Sequence, residues 1–206
     1  MEWIAHRAGN EARLIEPALA VADGVELDVH LLRGRFEVRH SKAVWPLRIY
    51  WERGQGRLPH ERPEDLRTIL PAIPHDTMLW IDLKGFSPRL TNRVLRATEA
   101  RERVTLSSRS WWILPSARRT PTVRTFRSVG NRLQLWVALR IEHPDGVGIP
   151  ERFATQSVIE RLRRRCATIA VWGARDRDRV TQLCELDVHV LIVDDLDLIR
   201  RDRPCD

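Results

Sequence analysis

Short apolar segments with the character of strands alternate with helical segments along almost the whole chain. The nine strand candidates are residues 3–6, 25–30, 35–40, 78–84, 104–108, 133–139, 147–149, 168–173 and 188–194. The helical candidates are residues 11–21, 63–70, 88–100, 110–118, 155–165 and 176–185. Alternation of this kind predicts a mainly parallel sheet.

The second and third strand candidates cannot be parallel neighbours, because only Leu32-Arg33-Gly34 separates them. A parallel connection needs about a dozen residues, so this pair is predicted to be an antiparallel hairpin. A three-residue loop ending in glycine sets Leu31 opposite Arg35, and counting outward places His40 opposite Glu26. A two-residue loop would put His40 on the other face. Without the return strand eight strands remain, so the predicted fold is a compact α/β protein, a (β/α)8 TIM barrel with a β-hairpin following strand 2.

The length and composition are compatible with one such barrel. Residues 1–206 are predicted to form a single domain. The mean hydropathy of −0.36 and the lack of a long uncharged apolar run argue against a membrane span. The chain starts with strand-like sequence rather than a signal peptide, and its three cysteines have neither metal spacing nor an even count. We therefore expect free thiols, no zinc site and a cytoplasmic location, while the oligomeric state stays open.

The net charge of +7 and the pI near 10.4 suggest a polyanion as a partner. Nucleic acid is nevertheless the weaker interpretation, because the arginines are scattered and their densest run, within residues 161–165, fits the exposed end of a helix. Lysine occurs only at Lys42 and Lys84. In a chain that uses arginine almost everywhere else, Lys84 is expected to serve as a compact point charge.

Pairs of charged residues alternate along two of the predicted strands. Glu26 and Asp28 project from one face of a strand whose other face is apolar, which suits either a solvent-facing strand or a cation site. Asp82 and Lys84 repeat this spacing, and here an internal ion pair is the simpler alternative. His6-Arg7 follows the first strand, and the ends of barrel strands form the reactive face.

With His40, these residues supply two imidazoles, three carboxylates, a guanidinium and an ammonium group. This set suits phosphodiester cleavage. Carboxylates bind Mg²⁺ or Ca²⁺, cations offset the charge on phosphorus, and two histidines exchange a proton as base and acid.

The same residues lie in motifs that follow one another in a characteristic order. They are Ala5-His6-Arg7-Ala8-Gly9 (for His-Arg-Gly), Val25-Glu26-Leu27-Asp28-Val29 (Glu-Leu-Asp-Val), Val38-Arg39-His40 (Val-x-His-Asp), Ile81-Asp82-Leu83-Lys84 (Glu-x-Lys), Leu106-Ser107-Ser108 near the fifth strand, Ala170-Val171-Trp172 (Val-Trp-Thr) and Leu191-Ile192-Val193-Asp194-Asp195 (Ile-Ile-Thr-Asp). The sequence therefore resembles the glycerophosphodiester phosphodiesterase family, a TIM-barrel group of phospholipase C-like phosphodiesterases.

The resemblance implies a reaction and a site. A substrate hydroxyl would attack phosphorus, and water would open the cyclic phosphate, with release of an alcohol and sn-glycerol 3-phosphate from a small-molecule diester. The implied site has His6 and His40 as the acid/base pair, Glu26, Asp28 and Asp82 as ligands of Mg²⁺ or Ca²⁺, Arg7 and Lys84 as phosphate contacts, and Trp172 in the pocket lining. A core position is the alternative for Trp172.

The chain departs from the family pattern at three places. The Glu-Asn-Thr motif is absent and Asn10-Glu11 is a loose substitute, Asp82 replaces a glutamate, and Ser41 replaces an aspartate. Two other functions remain open. One is hydrolysis of a related phosphodiester or phospholipid head group, with aromatic residues of the 41–62 loop shaping the pocket. The other is non-catalytic binding of a polyanion or nucleic acid by a basic barrel.

Overall fold

Eight parallel strands close into a barrel in a computed structural model that describes residues 1–44, 49–52, 55–57 and 63–200. The strands are β1 (Glu2–Ala5), β2 (Gly24–Leu32), β3 (Arg35–Val38), β4 (Lys42–Val44), β5 (Ile49–Glu52), β6 (Gln55–Arg57), β7 (Met78–Leu83), β8 (Val104–Ser108), β9 (Val123–Ser128), β10 (His143–Pro150), β11 (Cys166–Ala174) and β12 (Val190–Val193). The barrel order is β1, β12, β11, β10, β9, β8, β7 and β2, and pairing of β1 with β2 closes the ring. The predicted TIM barrel is confirmed.

Helices follow most barrel strands and cover the outside. The α-helices are α1 (Ala12–Leu19), α2 (Leu66–Ile69), α3 (Pro88–Ala97), α4 (Arg132–Ala138), α5 (Gln156–Arg163), α6 (Arg177–Glu185) and α7 (Asp197–Arg200), and 3₁₀ helices cover Ala8–Asn10, Leu70–Ala72, Trp111–Arg119 and Glu151–Phe153. The larger apolar cluster includes buried residues of both strands and helices. A smaller one includes Trp80 and Phe126, whose ring centroids are 4.7 Å apart. None of the described helices is long and apolar enough to cross a membrane.

The count of eight barrel strands is right, but two of the assignments behind it are wrong. Residues 133–139 were expected to be a strand, but residues 133–138 belong to α4, which starts after Asn131. The Asn131 side chain accepts a hydrogen bond from the Gln134 N–H at 2.9 Å and so caps the helix. The fifth barrel strand is β9. Arg124 and Arg127 interrupt its buried residues, which include Val123 and Phe126, and this hid the strand in the sequence.

The hairpin of β2 and β3 exists, but its predicted register is wrong by one residue. Leu32 lies opposite Arg35 and Leu31 opposite Phe36, so the loop is the two-residue Arg33-Gly34. Both loop residues have positive φ, 47° and 80°. A two-residue turn with two positive φ angles matches the twist of an antiparallel pair of strands. This explains why the hairpin has this turn and not the predicted three-residue loop.

Two smaller expectations also change. The 41–62 loop contains a three-stranded antiparallel sheet of β4, β5 and β6, while Trp45 lies outside the described residues. Cys166 is a free thiol as expected. Cys184 is disulfide-bonded, so the expectation of free thiols is wrong there.

Candidate functional site

The register between barrel strands places acidic side chains next to one another inside the barrel. Asp28 of β2 is paired with Asp82 of β7, and Asp82 is paired with Ser107 of β8. Glu26 lies two residues before Asp28 and so shares its face. One carboxylate oxygen from each of the three acidic residues lies within 4.8 Å of the others. The predicted carboxylate cluster therefore forms.

Lys84 supplies the positive charge next to this cluster. Its Nζ lies 2.7 Å from Asp28 Oδ1 and also pairs with the carboxylate of Asp82. Asp28 is fully buried. Burial raises the pKa of Asp28, but the charge of Lys84 and the contact with His40 outweigh it and hold that pKa well below its usual range. Burial lowers the pKa of Lys84, and the charges of Asp82 and Asp28 raise it further than burial lowers it.

Glu26 has the opposite electrostatic character. It is buried, and burial together with the charge of Asp28 raises its pKa to about 8. Its Oε2 accepts a hydrogen bond from the Arg7 backbone N–H at 2.7 Å and lies 3.9 Å from His6 Nε2. A buried carboxyl group next to other acidic groups ionises readily only when additional positive charge lies close to it.

His6 stands where β1 ends and continues the ladder to β12, since its N–H donates to the Val193 carbonyl at 2.8 Å. Its Nδ1 is 2.5 Å from Asp194 Oδ1. Burial lowers the pKa of His6, but the hydrogen bond to Asp194 and the charge of Glu26 outweigh burial, and the pKa is raised. The following residue, Arg7, has a φ of 56°, a conformation that costs energy for a residue with a side chain.

His40 reaches the same cluster despite the error in the predicted register. The β3 ladder ends at Val38, and the last contact is the Arg39 N–H donating to the Asp28 carbonyl at 2.9 Å. Beyond that point the alternation of a strand no longer decides side-chain direction. His40 Nδ1 lies 3.2 Å from Asp28 Oδ2, whereas the sequence had placed it opposite Glu26.

Asn10 and Ser107 fix the orientation of two of the carboxylates. Asn10 Nδ2 donates to Asp28 Oδ2 at 3.0 Å, and its Oδ1 accepts from the Asp28 N–H at 2.8 Å. The Ser107 hydroxyl donates to Asp82 Oδ1 at 2.9 Å and accepts from Trp80 Nε1 at 3.0 Å. Residues held by two partners in this way are restricted in their rotamers.

These side chains surround a cleft of about 160 Å³. Seven of the eight predicted site residues line it, namely His6, Arg7, Glu26, His40, Asp82, Lys84 and Trp172. The eighth, Asp28, is fully buried and contacts three of them. Trp172 lines the cleft and also packs on the small apolar cluster, so both interpretations of it hold.

Four residues that contribute to the site had been given no role from the sequence. Arg109 lines the cleft, and its guanidinium lies 5.5 Å from the centroid of the Trp172 ring. Its position directly after β8 was the available signal, since residues after barrel strands lie at the reactive face. Asp194, Asn10 and Ser107 are the others, and each lies within or beside a motif that had been recognised.

The donor set fits a hard divalent cation. Two oxygens bound to one Ca²⁺ lie at most about 5 Å apart, so the three carboxylates are close enough to share an ion. Carboxylate oxygens are the ligands that Mg²⁺ and Ca²⁺ prefer. The high pKa of Glu26 is consistent with this, since a cation would supply the charge that favours its ionised form.

Several solved structures share this fold over nearly the whole chain. A glycerophosphodiester phosphodiesterase from Thermotoga maritima has 18% identity and a TM-score of 0.73, with 96% of each chain covered. A putative glycerophosphoryl diester phosphodiesterase from Silicibacter pomeroyi has 14% identity and a TM-score of 0.74, covering 98% of this chain and 92% of that one. An Oleispira antarctica phosphodiesterase in complex with the product sn-glycerol-3-phosphate has 15% identity and a TM-score of 0.67, covering 94% and 93%.

No protein-family model matches the chain, and no curated protein is similar to it in sequence. At these identities the structural likeness establishes the fold. The chain therefore has the barrel of glycerophosphodiester phosphodiesterases, in agreement with the resemblance of its motifs.

Proposed function

We propose that this chain is a metal-dependent phosphodiester hydrolase that cleaves glycerophosphodiesters to sn-glycerol 3-phosphate and an alcohol. One observation carries the proposal. Three carboxylates, a lysine and two carboxylate-anchored imidazoles converge in a single cleft of the barrel. The shared fold of solved phosphodiesterases, one of them with sn-glycerol-3-phosphate bound, supports the same substrate class.

Glu26, Asp28 and Asp82 would hold the divalent cation, Mg²⁺ or Ca²⁺. When bound, such an ion acts as a Lewis acid that stabilises negative charge on the phosphoryl oxygens. Lys84 lies against two of these carboxylates and keeps the fully buried Asp28 ionised for that purpose.

His6 and His40 would carry the proton transfers. The Nδ1 of each ring is anchored by a carboxylate, Asp194 for His6 and Asp28 for His40. In the neutral ring Nδ1–H donates to that carboxylate, which leaves the Nε2 lone pair for the substrate. One imidazole would take the proton of the attacking hydroxyl while the other, protonated, gives its proton to the leaving alcohol oxygen.

Cations around the cleft would bind the phosphate. The Arg7 side chain, Lys84 and Arg109 all line it. Arginine binds phosphate oxygens with paired N–H groups, and lysine as a point charge. The Trp172 ring, beneath the Arg109 guanidinium, offers an apolar wall for the glycerol carbons.

The test is hydrolysis of glycerophosphocholine, followed by the release of glycerol 3-phosphate in the presence of Mg²⁺ or Ca²⁺. We expect activity that EDTA abolishes and that His6→Ala and His40→Ala each reduce by at least a hundredfold. His75→Ala, in an exposed loop, is the control and should keep wild-type activity. Normal rates in both site variants would overturn the assignment.

The same assay separates the alternatives. A panel of glycerophosphodiesters and phospholipids would identify a related diester or head group as the substrate. A non-catalytic polyanion binder would release no product from any diester, and its ligand binding would be unaffected by EDTA or by His6→Ala.

A further inference from the structure

One stretch of the sequence carries only positively charged residues. Between Glu102 and Glu142 the sequence has no acidic residue. The same stretch has eight arginines, Arg103, Arg109, Arg118, Arg119, Arg124, Arg127, Arg132 and Arg140. Two of them, Arg103 and Arg124, form ion pairs with Glu2. The net charge of the chain is +7, so this stretch carries slightly more positive charge than the chain has in excess.

Exposed apolar side chains occur in the same region. Among the described residues, six large apolar side chains are exposed, and four of these lie between positions 86 and 136. They are Phe86, Trp112, Leu133 and Trp136, with 75%, 61%, 71% and 54% of their surface exposed. Single exposed apolar residues are ordinary, but a group on one surface indicates an interaction site.

Direct contacts join the segments that carry these residues. The rings of Phe86 and Trp112 stack with their centroids 5.9 Å apart, and Trp112 Nε1 donates to the Phe86 carbonyl at 3.1 Å. The start of α4 is linked to the segment before Trp112, since Gln134 Nε2 donates to the Arg109 carbonyl at 3.0 Å. The segments that carry the exposed apolar residues are therefore neighbours on the barrel.

Helix α4 presents both kinds of side chain on this surface. Leu133 and Trp136 are three residues apart and so lie on the same side of the helix. Arg132 is exposed beside Leu133, and the guanidinium of Arg140 lies 3.9 Å from the centroid of the Trp136 ring. We refer to Phe86, Arg109, Trp112, Arg132, Leu133 and Trp136 together as the arginine–aromatic rim.

The rim borders the mouth of the candidate active site. Phe86, Trp112 and Leu133 follow β7, β8 and β9, at the carboxyl ends of these strands where the cleft opens. Arg109 belongs to both surfaces, because it lines the cleft and its backbone contacts α4. A molecule bound to the rim would lie next to the cleft.

We propose that the arginine–aromatic rim docks the protein on the surface of an anionic lipid bilayer. Tryptophan and phenylalanine rings beside cationic side chains are typical of membrane interfaces, where the rings enter the boundary with the acyl chains and the cations contact phosphate groups. The absence of acidic residues across the stretch that carries most of the rim removes the repulsion that an anionic surface would otherwise meet. The proposal concerns binding, so it goes beyond the proposed hydrolysis and stands independently of it.

A bilayer fits the rim better than a nucleic acid does. Aromatic residues that bind single strands stack bases on free ring faces. Here Phe86 and Trp112 each cover one face of the other ring, and the Arg140 guanidinium lies over the Trp136 ring. Leu133 has neither a ring nor a polar group to offer a base. An exposed leucine beside arginine suits insertion among lipids.

The experiment is co-sedimentation of the whole protein with vesicles of phosphatidylcholine alone or with about one third phosphatidylglycerol. We expect binding to the anionic vesicles that weakens as salt is raised, and at least tenfold weaker binding to the neutral ones. A labelled single-stranded oligonucleotide is tested in parallel. Failure to bind either kind of vesicle overturns the proposal.

Matched variants test which surface binds. Trp112→Ser should lower the vesicle partition coefficient by roughly fivefold or more. Arg132→Glu should lower it by roughly 25-fold, because each unit of charge near the bilayer contributes about a fivefold factor and this change alters two units. The controls are Leu14→Ser and Arg161→Glu, which change an exposed leucine on α1 and an exposed arginine on α5.

The pattern among the variants decides the outcome. Loss of vesicle binding in the two rim variants but not in the two controls supports the proposal. Equal loss in rim and control variants assigns binding to overall charge and overturns it. Oligonucleotide binding that depends on the rim, without vesicle binding, assigns the rim to nucleic acid. Hydrolysis of soluble glycerophosphocholine should be unchanged in Trp112→Ser, so a failed activity assay and a failed vesicle assay remain distinguishable.

Discussion

The hydrogen bond between Asp194 and His6 is the contact whose removal tests the proposed proton transfer most directly. The two atoms are 2.5 Å apart. Burial lowers the pKa of His6, and this hydrogen bond is the main contribution that raises it. Asp194→Asn keeps the size of the side chain and removes its charge. The amide can also donate to Nδ1, which would favour the tautomer with its proton on the wrong nitrogen for a base.

The size of the effect follows from the exposure of the pair. A hydrogen bond to a charged group contributes about 1.5–3 kcal/mol to stability or orientation. Half of the Asp194 side chain is exposed, and solvent screening puts its contribution at the lower end of that range. About 1.4 kcal/mol corresponds to a factor of ten in rate. We therefore expect kcat to fall roughly tenfold, with little change in KM because Asp194 does not line the cleft.

The assay measures initial rates of glycerophosphocholine hydrolysis over a range of substrate concentrations with saturating divalent cation. Asp195→Asn is the matched control. Asp195 Oδ1 accepts a hydrogen bond from the Asp197 N–H at 2.9 Å, which an asparagine oxygen can still accept. Wild-type kcat in Asp194→Asn, or an equal loss in the control, would refute the positioning role.

Three further perturbations probe the metal site, the barrel packing and a buried histidine. Asp28→Asn should weaken Mg²⁺ or Ca²⁺ binding by at least roughly tenfold in calorimetric titration, and an unchanged affinity would exclude Asp28 as a ligand. Gly24→Ala places a Cβ 2.2 Å from the Met78 carbonyl oxygen and should cost about 3 kcal/mol or more in chemical denaturation, whereas Gly148→Ala, with 3.7 Å to its nearest atom, should cost far less. Burial lowers the pKa of His143. When the pH decreases below about 6.5, the unfolded chain therefore binds a proton before the folded protein does, and the free energy of unfolding decreases by at most about 1.4 kcal/mol per pH unit. His143→Gln should reduce this dependence on pH.

Much of the fold was predictable because barrel strands are short apolar runs bounded by polar loops. The prediction failed where hydrophobicity and local structure point in different directions. In β9 the two arginines, Arg124 and Arg127, lie on opposite faces and interrupt buried residues such as Val123. The strand therefore shows neither an apolar run nor a simple alternation. Residues 133–139 are apolar enough for a strand, but Leu133 and Trp136 remain exposed. These two apolar side chains therefore lie on the surface of the protein and not in its core.

The hairpin register shows a different limit. Both a two-residue and a three-residue loop are compatible with Leu32-Arg33-Gly34, and the choice depends on whether Arg33 accepts a positive φ. The single-residue shift that follows reverses every face assignment along β3. His40 contacts Asp28 because it lies beyond the end of the ladder, which alternation counted from the loop does not predict.

The predicted site residues could be identified from their chemistry, because acidic residues and histidines at the ends of barrel strands have few other uses. Arg109 and Asn10 were missed for a physical reason. An arginine is unremarkable in a chain with so many, and the role of Asn10 depends on a three-dimensional contact. The charge pattern of the rim is equally hard to predict, because its arginines are far apart in sequence and a lack of acidic residues gives no local motif.

The departures from the family pattern can be judged by the geometry around Asp28. The register of β2 with β7 sets Asp82 opposite Asp28, so the loss of one methylene leaves its carboxylate within the cluster. The loop after β1 forms a 3₁₀ helix, Ala8–Asn10, and Asn10 contacts both the carboxylate and the backbone N–H of Asp28. A cation bound there would meet a carboxylate already fixed by Asn10 and Lys84. Because fixed ligands lose little entropy on binding, these substitutions are compatible with a functional metal site.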